Sequence, residues 1–440
     1  MQMPAKRFRI LTFGCKVNQY ESAYLEESLL GAGWRRADRG GTADAVVVNT
    51  CMVTGRASYQ SRQAIRKQIR ENPEAVIVAT GCYAQVSPQE LAAIEGVDIV
   101  AGNSFKGRLP GLVLEARPAK AAAVLHEPLG RDTPFDALPV RGRPGRTRAL
   151  LKIQDGCSAF CSYCIVPHAR GRPRSLPVEA VVEALKGFSR AGFLEAVLTG
   201  IHLGRYGVDL GPGSDLKALL RRILREGIPL RIRLSSLEPD EVDRELVEVA
   251  ASDPRVCNHF HLAMQSGDDR VLERMKRSYT AAAFADVVRT VRRRIPGAAV
   301  GADVLVGFPG ESREAFERTR ELIGALPLTY LHVFRYSPRP GTPAARFQDP
   351  VPQAEAKERA AVLRALGREK RRAFFRSCLG EVHPVLVEAV VPGGSGVASG
   401  LSDNYIPFSF EACGKGVGDV VRVRAERLDG DQVAGRVEKG

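Results

Sequence analysis

Three cysteines, Cys157, Cys161 and Cys164, stand in the spacing C-x3-C-x2-C directly after the apolar stretch Leu150 to Ile153. No other feature restricts the fold and chemistry of the chain as much. A fully ligated iron-sulfur cluster takes four protein ligands, so three thiolates in one short loop point to a cluster with one iron left open for a small molecule. Structural zinc sites more often pair C-x2-C with a second pair far away. Zinc and chance cysteines are the alternatives. The loop also carries Gly156 and Ser158 where a strand would hand over to a connection, so the three sulfurs can fold around one centre.

At 440 residues the chain exceeds one ordinary core, and a prior of about 150 residues per domain suggests two to four domains. Its apolar fraction of 44% is that of a globular protein. No apolar run approaches the roughly 18 residues needed to cross a bilayer, and the N-terminus enters a strand-like pattern at Phe8 to Phe13 without a signal-peptide layout. The expectation is a cytoplasmic protein with no membrane partner. Nine cysteines are too few and too irregular for a disulfide scaffold. Lys plus Arg exceed Asp plus Glu by 14, which suits a polyanionic partner because phosphate contacts release counterions. Charge gains meaning only if an RNA-binding module accompanies it.

The overall class is α/β, in three segments. From residue 6 to 125 the runs Phe8 to Phe13, Ala45 to Val48 and Ala75 to Ala79 read as strands, with helices near Ser22 to Leu30, Ala57 to Arg70 and Pro88 to Ile94, which makes a small parallel α/β domain. A cysteine follows each strand within a few residues: Cys15, Cys51 and Cys82. The carboxyl ends of parallel strands share one edge, so these sulfurs can converge despite their separation in sequence. Gly14 and Gly81 precede two of them and allow close backbone approach. Three ordinary buried cysteines are the bland alternative.

Residues 126–148 read as a basic linker with Arg141, Arg143, Arg146 and Arg148, either solvated or touching an RNA backbone. Residues 149–376 hold strands at Leu150 to Gln154, Ala196 to Thr199, Leu230 to Leu234, His259 to Met264, Ala299 to Val306 and Tyr330 to Phe334, then a charged helix to Arg376. Six strands with helices between them predict a partial (β/α)6 barrel whose site lies at the carboxyl ends of its strands. Thr199, Gly200, Ser235, Ser236, Glu238, Gln265, Gly307, Tyr336 and Ser337 outline that rim, each also readable as a cap or turn residue. Residues 377–440 change character: Val385 to Glu388, Asn404 to Pro407 and Val420 to Arg424 read as short strands between Gly-rich turns such as Pro392 to Gly396, the pattern of a small antiparallel β-barrel. Such barrels bind oligonucleotides through a strand face, with Tyr405 available for stacking and Lys415, Arg422, Arg424 and Arg427 for phosphates. A purely structural barrel is the alternative.

The loop Cys157-Ser-Ala-Phe-Cys161-Ser-Tyr163-Cys164 resembles the cluster loop of radical S-adenosylmethionine enzymes, including the aromatic before the last cysteine. Nearly the whole chain resembles the methylthiotransferase family, through Thr12-Phe-Gly-Cys15-Lys-Val-Asn18, Asn49-Thr-Cys51, Thr80-Gly-Cys82-Tyr-Ala-Gln85, Ala169-Arg-Gly171, Gly307-Phe-Pro-Gly-Glu311 and Gly400-Leu-Ser-Asp-Asn404-Tyr405, the last in a segment similar to the family's RNA-binding TRAM barrel. The resemblance implies two [4Fe-4S] clusters: one on Cys157, Cys161 and Cys164 that cleaves S-adenosylmethionine, and an auxiliary one on Cys15, Cys51 and Cys82. Tyr163, Thr199, Gly200, Ser235, Ser236, Glu238 and Gln265 would bind S-adenosylmethionine. Cys257, Cys378 and Cys413 match no ligand motif.

In the family one S-adenosylmethionine methylates sulfur at the auxiliary cluster, and another yields a 5'-deoxyadenosyl radical that takes hydrogen from an unactivated carbon. Cofactors supply the radical and the sulfur, so His168, His202, His259 and His261 are expected to be packing or surface residues rather than acid-base catalysts. Asn49 to Thr54, Ser61 to Ile65 and Leu198 to Gly204 followed by Tyr206-Gly look most like the branch acting on threonylcarbamoyladenosine at position 37 of tRNA. Partners would be the tRNA anticodon stem-loop and an electron donor such as flavodoxin or ferredoxin; the sulfur donor is open. Other branches modify isopentenyladenosine in tRNA or an aspartate of a ribosomal protein. A noncatalytic iron-sulfur RNA-binding protein is the reading from another class. At His261-Leu-Ala263-Met264-Gln265 the chain departs from the family's Pro-Leu before Gln.

Overall fold

The computed structural model describes residues 5–38, 40–130, 133–142, 146–391 and 396–438; Arg143 of the linker and residues 392–395 of the Gly-rich turn lie outside them. The chain divides into two units. The first comprises Met1–Arg143, Gln154–Leu176 and Ser337–Ala345; the second comprises Pro144–Ile153, Pro177–Tyr336 and Arg346–Gly440.

The first unit is built on a six-stranded sheet in the order Arg35–Arg36, Arg7–Thr12, Ala45–Thr50, Val76–Gly81, Ile99–Ala101, Ala123–Leu125, parallel throughout. Every residue of Ala45–Thr50 and Val76–Gly81 is buried, as expected of a parallel strand covered on both faces. Alternate side chains divide the core: Val46, Val48, Ile77 and Ala79 pack with Ile65 of the helix Gly55–Glu71, while Val47 and Val78 pack with Leu25 and Leu29 of the helix Lys16–Gly31. The three expected strands are present. Three further strands of two or three residues escaped the sequence reading because so short a run carries no periodicity.

The cysteine segment is closed at its base by antiparallel pairing of Gln154–Asp155 with Arg174–Ser175. Gly156 makes that closure sterically possible: it has φ +79°, and a Cβ there would lie 1.9 Å from the Arg172 carbonyl oxygen. A short helix, Val166–Arg170, follows the last cysteine.

In the second unit two three-stranded parallel sheets, Arg231–Leu234 with Glu195–Thr199 and Ala149–Lys152, and His259–Gln265 with Ala299–Val306 and Tyr330–Arg335, are linked by isolated bridges between Ile232 and Val256 and between Leu237 and Leu262. All six expected strands are present with helices between them, an open arc in barrel order. The arginine run is not uniformly solvated, since Arg148 is paired with Glu195 at 3.3 Å and with Glu388.

After the helix Gln353–Ser377 come five strands, Val382–Val390, Val397–Ser402, Pro407–Glu411, Val420–Asp429 and Gln432–Val437, closed into a barrel. Pairing is antiparallel except where Pro407–Glu411 meets Gln432–Val437. One expectation is corrected. Asn404 to Ile406 is a turn, not a strand: Tyr405 has φ +66°, and Ser402 Oγ accepts from the Ile406 amide at 2.8 Å, so local side-chain bonding overrides the apolar pattern. Among the described residues no helix is long and apolar enough to cross a membrane.

Candidate functional site

Cys15, Cys51 and Cys82 follow three strands that are neighbours in the first unit's sheet, so they share its carboxyl edge. Cys15 stands at the N-cap of Lys16–Gly31, and Cys82 opens the short helix Cys82–Val86. Gly14 has φ +98°, and a Cβ on it would lie 3.0 Å from Cys51 Sγ. Cys51 and Cys82 are each 6% exposed. Burial, reinforced by the nearby Cys82 and Cys15 thiols, pushes the Cys51 thiol up to about 12. A thiol held in its protonated form ligates poorly, so metal uptake here must displace protons.

Beneath these cysteines lies a network that the sequence reading did not foresee. Arg170, at 1% exposure, donates from Nε to Cys82 Sγ at 3.4 Å, from Nη1 to Glu21 and to Asp155 Oδ2 (3.3 Å), and from Nη2 to Asn18 Oδ1. Lys106 Nζ reaches Glu21 Oε2 at 3.1 Å and Asn49 Oδ1 at 2.9 Å. Asn103 donates to the Ala169 carbonyl at 2.8 Å and lies 3.9 Å from Cys82 Sγ. Two buried cations thus meet two buried carboxylates, and the helix that ends the C-x3-C-x2-C segment is tied directly to the second cysteine group. The motif Ala169-Arg-Gly171 drew notice in the sequence, but Arg170 had no assigned task. Asn18, Glu21, Ser22 and Glu26 on the buried side of Lys16–Gly31 were the available signal, because polar residues occupy positions where a helix over a sheet is ordinarily apolar.

In the C-x3-C-x2-C loop Cys161 is buried, and Cys157 and Cys164 are half-buried. The Cys157 amide donates to the Gly171 carbonyl at 2.9 Å, the Cys164 amide to the Cys161 carbonyl at 2.9 Å, and the Ala159 amide to Cys157 Sγ at 3.4 Å. Phe160 adopts φ +47° and is 53% exposed, with its ring edge-on to His168 at 6.0 Å. Tyr163 is half-buried.

In the second unit the rim residues occupy strand ends. Thr199 is buried and its carbonyl accepts from the Ile153 amide at 2.9 Å; Gly200 follows it half-buried. Ser235 is buried with no hydrogen-bond partner for its Oγ among the described residues, and Ser236 is exposed. Glu238 receives Arg277 Nη1 on both oxygens at 2.9 Å, and burial nevertheless raises its carboxyl above the usual range. Gln265 ends its strand with φ +59°, a strained conformation for a residue with a side chain. His202 is paired with Glu241 at 2.8 Å.

On the C-terminal barrel Lys415 and Arg422 are exposed and Arg424 is half-buried, donating to Glu438 at 2.6 Å and to the Gly380 carbonyl at 2.7 Å. Arg422 and Arg424 alternate along one strand and so share a face. Tyr405 departs from expectation. Its ring stacks on His259 at 4.4 Å and lies 5.6 Å from Tyr330. Neighbouring Asp403 accepts from Asn258 at 2.9 Å, and Arg233 donates to the Asp403 and Ser402 carbonyls at 2.8 and 3.0 Å. Arg233 is in turn held by the buried Glu195 carboxylate. The segment Ser402 to Tyr405 is therefore a fastening of the small barrel to the strand arc, not a free stacking platform.

Residues 7–102 match an uncharacterized protein family, UPF0004, and residues 151–323 match the Radical SAM superfamily. The chain is 40% identical over 416 residues to a threonylcarbamoyladenosine tRNA methylthiotransferase of Bacillus subtilis, covering 94% of this chain and 92% of that one. It is 35% identical over 437 residues to a tRNA-2-methylthio-N(6)-dimethylallyladenosine synthase of Symbiobacterium thermophilum, covering 96% and 93%. Among solved structures, a radical S-adenosylmethionine methyltransferase from Kitasatospora setae aligns with a TM-score of 0.55 at 20% identity, over 78% of this chain and 77% of that one, a likeness of fold.

Proposed function

Because the chain belongs to the methylthiotransferase family of radical S-adenosylmethionine enzymes, we propose that it adds a methylthio group to C2 of N6-threonylcarbamoyladenosine at position 37 of tRNA. The observation that carries this reading is two groups of three cysteines in one folded unit, with Arg170 of the helix after Cys164 donating to Cys82 Sγ. Cys157, Cys161 and Cys164 would hold the [4Fe-4S] cluster that works on S-adenosylmethionine, and Cys15, Cys51 and Cys82 would hold the auxiliary cluster. When bound, the clusters and S-adenosylmethionine would supply the electron transfer, the sulfur and the radical that no side chain can provide.

The chain's own work is to bind and orient. Arg170 and Lys106 offset the negative charge gathered by thiolates, Glu21 and Asp155, so that this charge can remain buried. Thr199, Gly200, Ser235, Ser236, Glu238, Gln265 and Tyr163 are the residues we assign to S-adenosylmethionine. Ser235 offers a buried hydroxyl with no partner among the described residues. The working segments are residues 6–125, the linker 126–148, the strand arc with its following helix 149–376, and the barrel 377–440. The electron donor is a flavodoxin or ferredoxin, and the setting is the cytoplasm, where tRNA is found.

Nucleoside mass spectrometry of tRNA from a strain lacking the gene, with and without the gene restored, tests the proposal. The 2-methylthio form of threonylcarbamoyladenosine should vanish and return. A loss confined to the isopentenyl analogue would move the enzyme to the other tRNA branch, and no change in either would overturn the tRNA reading.

The arginine face of the barrel yields a separate expectation. Replacing Arg422 and Arg424 together by Ala should weaken tRNA binding and reduce the slope of log K against log salt by about 0.9 for each phosphate that is no longer neutralised. Tyr405→Ala should leave that slope unchanged and instead lower stability by about 1–2 kcal/mol, by removing the stack on His259. A salt titration of the three proteins decides; an unaltered slope in the double-arginine variant would rule out RNA binding by this face.

A further inference from the structure

One face of the sheet formed by His259–Gln265, Ala299–Val306 and Tyr330–Arg335 bears polar groups that neither the clusters nor the S-adenosylmethionine rim uses. Phe260, Leu262 and Met264 point into the core, and Leu331 packs on the long helix, where a Cβ on Gly367 would lie 3.2 Å from it. The alternate residues therefore project from the opposite face. There the register sets Asp303 opposite His332. His261 Nε2 lies 2.8 Å from Asp303 Oδ1, and His332 Nδ1 lies 3.3 Å from the same oxygen.

The lower end of this face is filled and rigid. A Cβ on Gly301 would fall 2.2 Å from the Tyr330 ring, so glycine lets that ring lie across the middle strand. Tyr330 Oη then sits 2.8 Å from His259 Nε2 and 2.9 Å from His261 Nδ1, with Tyr405 stacked beyond. The upper end is open: the His332 side chain is 54% exposed and Phe334, two residues on along the same face, is 45% exposed. Burial raises the Asp303 carboxyl, but hydrogen bonds from His261 and His332 outweigh it and hold the group below the usual carboxylate range. An ionised Asp303 thus anchors His332 through Nδ1. With Nδ1–H engaged by Asp303, Nε2 is the His332 atom left to pair with a ligand. Phe334 adds a flat apolar surface of the kind on which bases stack.

We propose that this face is the subsite for the threonylcarbamoyl arm of the modified adenosine, with His332 Nε2 accepting from the threonyl hydroxyl and Phe334 lying against the base. The assignment rests on the methylthiotransferase reading and deepens it. Polar complementarity selects the occupant: the threonyl arm brings a hydroxyl to Nε2, whereas an isopentenyl arm offers that nitrogen no polar group. Leaving Nε2 without a partner discriminates against the apolar arm as the contact favours the polar one.

The test uses the full chain with both clusters reconstituted and anticodon stem-loops that differ only at position 37, carrying threonylcarbamoyladenosine, isopentenyladenosine or adenosine. Binding and methylthio transfer are measured for the wild type, His332→Ala and Asp303→Asn. The wild type should prefer the threonylcarbamoyl loop over the adenosine loop, and both variants should lose about 10-fold of that preference, the upper worth of one hydrogen bond. A wild type that modifies the threonylcarbamoyl loop while both variants keep the full preference overturns the subsite alone. A wild type that ignores that loop overturns the functional reading itself. Because His261, Asp303 and His332 also bring their ligand atoms within 4.8 Å of one another, zinc content is measured in parallel. One zinc per chain, lost in His332→Ala, would replace the subsite with a metal site.

Discussion

Cys157→Ala is expected to abolish cleavage of S-adenosylmethionine while retaining roughly half of the chain's iron and sulfide, and Cys51→Ala is expected to leave cleavage in place while abolishing methylthio transfer. The asymmetry follows from placement. Cys157 lies in a half-buried loop anchored by its own backbone bond to Gly171, which removal of its side chain leaves in place. Cys51 packs against Gly14 at the carboxyl edge of the sheet, where a smaller side chain empties one corner of the donor set without displacing the C-x3-C-x2-C loop. Iron and sulfide analysis with detection of 5'-deoxyadenosine reads both effects. If Cys51→Ala retains the full iron content, its triad holds no cluster. If either variant loses all the iron, the two centres do not load independently.

Arg170→Ala should destabilise the apo-protein by about 3 kcal/mol, the low end of the cost of breaking a buried pair, because Glu21 and Asp155 would lose their shared guanidinium while Lys106 remains beside Glu21 and Arg174 beside Asp155. Arg170→Lys should recover only a small part of this. One ammonium cannot reproduce the guanidinium fork that reaches Cys82, Glu21, Asp155 and Asn18 together. Guanidinium unfolding of the cluster-free chain gives the size of the loss, and a double-mutant cycle with Glu21→Gln isolates the coupling. A change within about 0.5 kcal/mol, the range of an ordinary surface substitution, would show that the network is incidental.

Legibility in the sequence followed the reach of each signal. Cys157, Cys161 and Cys164 were readable because their ligand pattern is local, with Gly156 beside them. Cys15, Cys51 and Cys82 were readable because the carboxyl ends of parallel strands share an edge, so position within a strand substitutes for distance. The short pieces Arg35–Arg36 and Ala123–Leu125 exist only by pairing with a neighbouring strand and left no trace in the pattern. Asn404 to Pro407 was misread because Tyr405 and Ile406 look like strand residues, while the Ser402 hydroxyl decides for a turn. Arg170 carried no periodicity and no motif chemistry of its own.

The sequence by itself determined most of the elements, their order and the two groups of three cysteines, one by local spacing and the other by position at the ends of parallel strands. Only the tertiary structure decided that Arg170 lies under Cys82, that Tyr405 fastens the small barrel, and that His261, Asp303 and His332 meet on one face. Buried polar groups find partners as far as 170 positions away in the chain, and which of them meet is set by the register of packed strands and helices rather than by any neighbour in sequence.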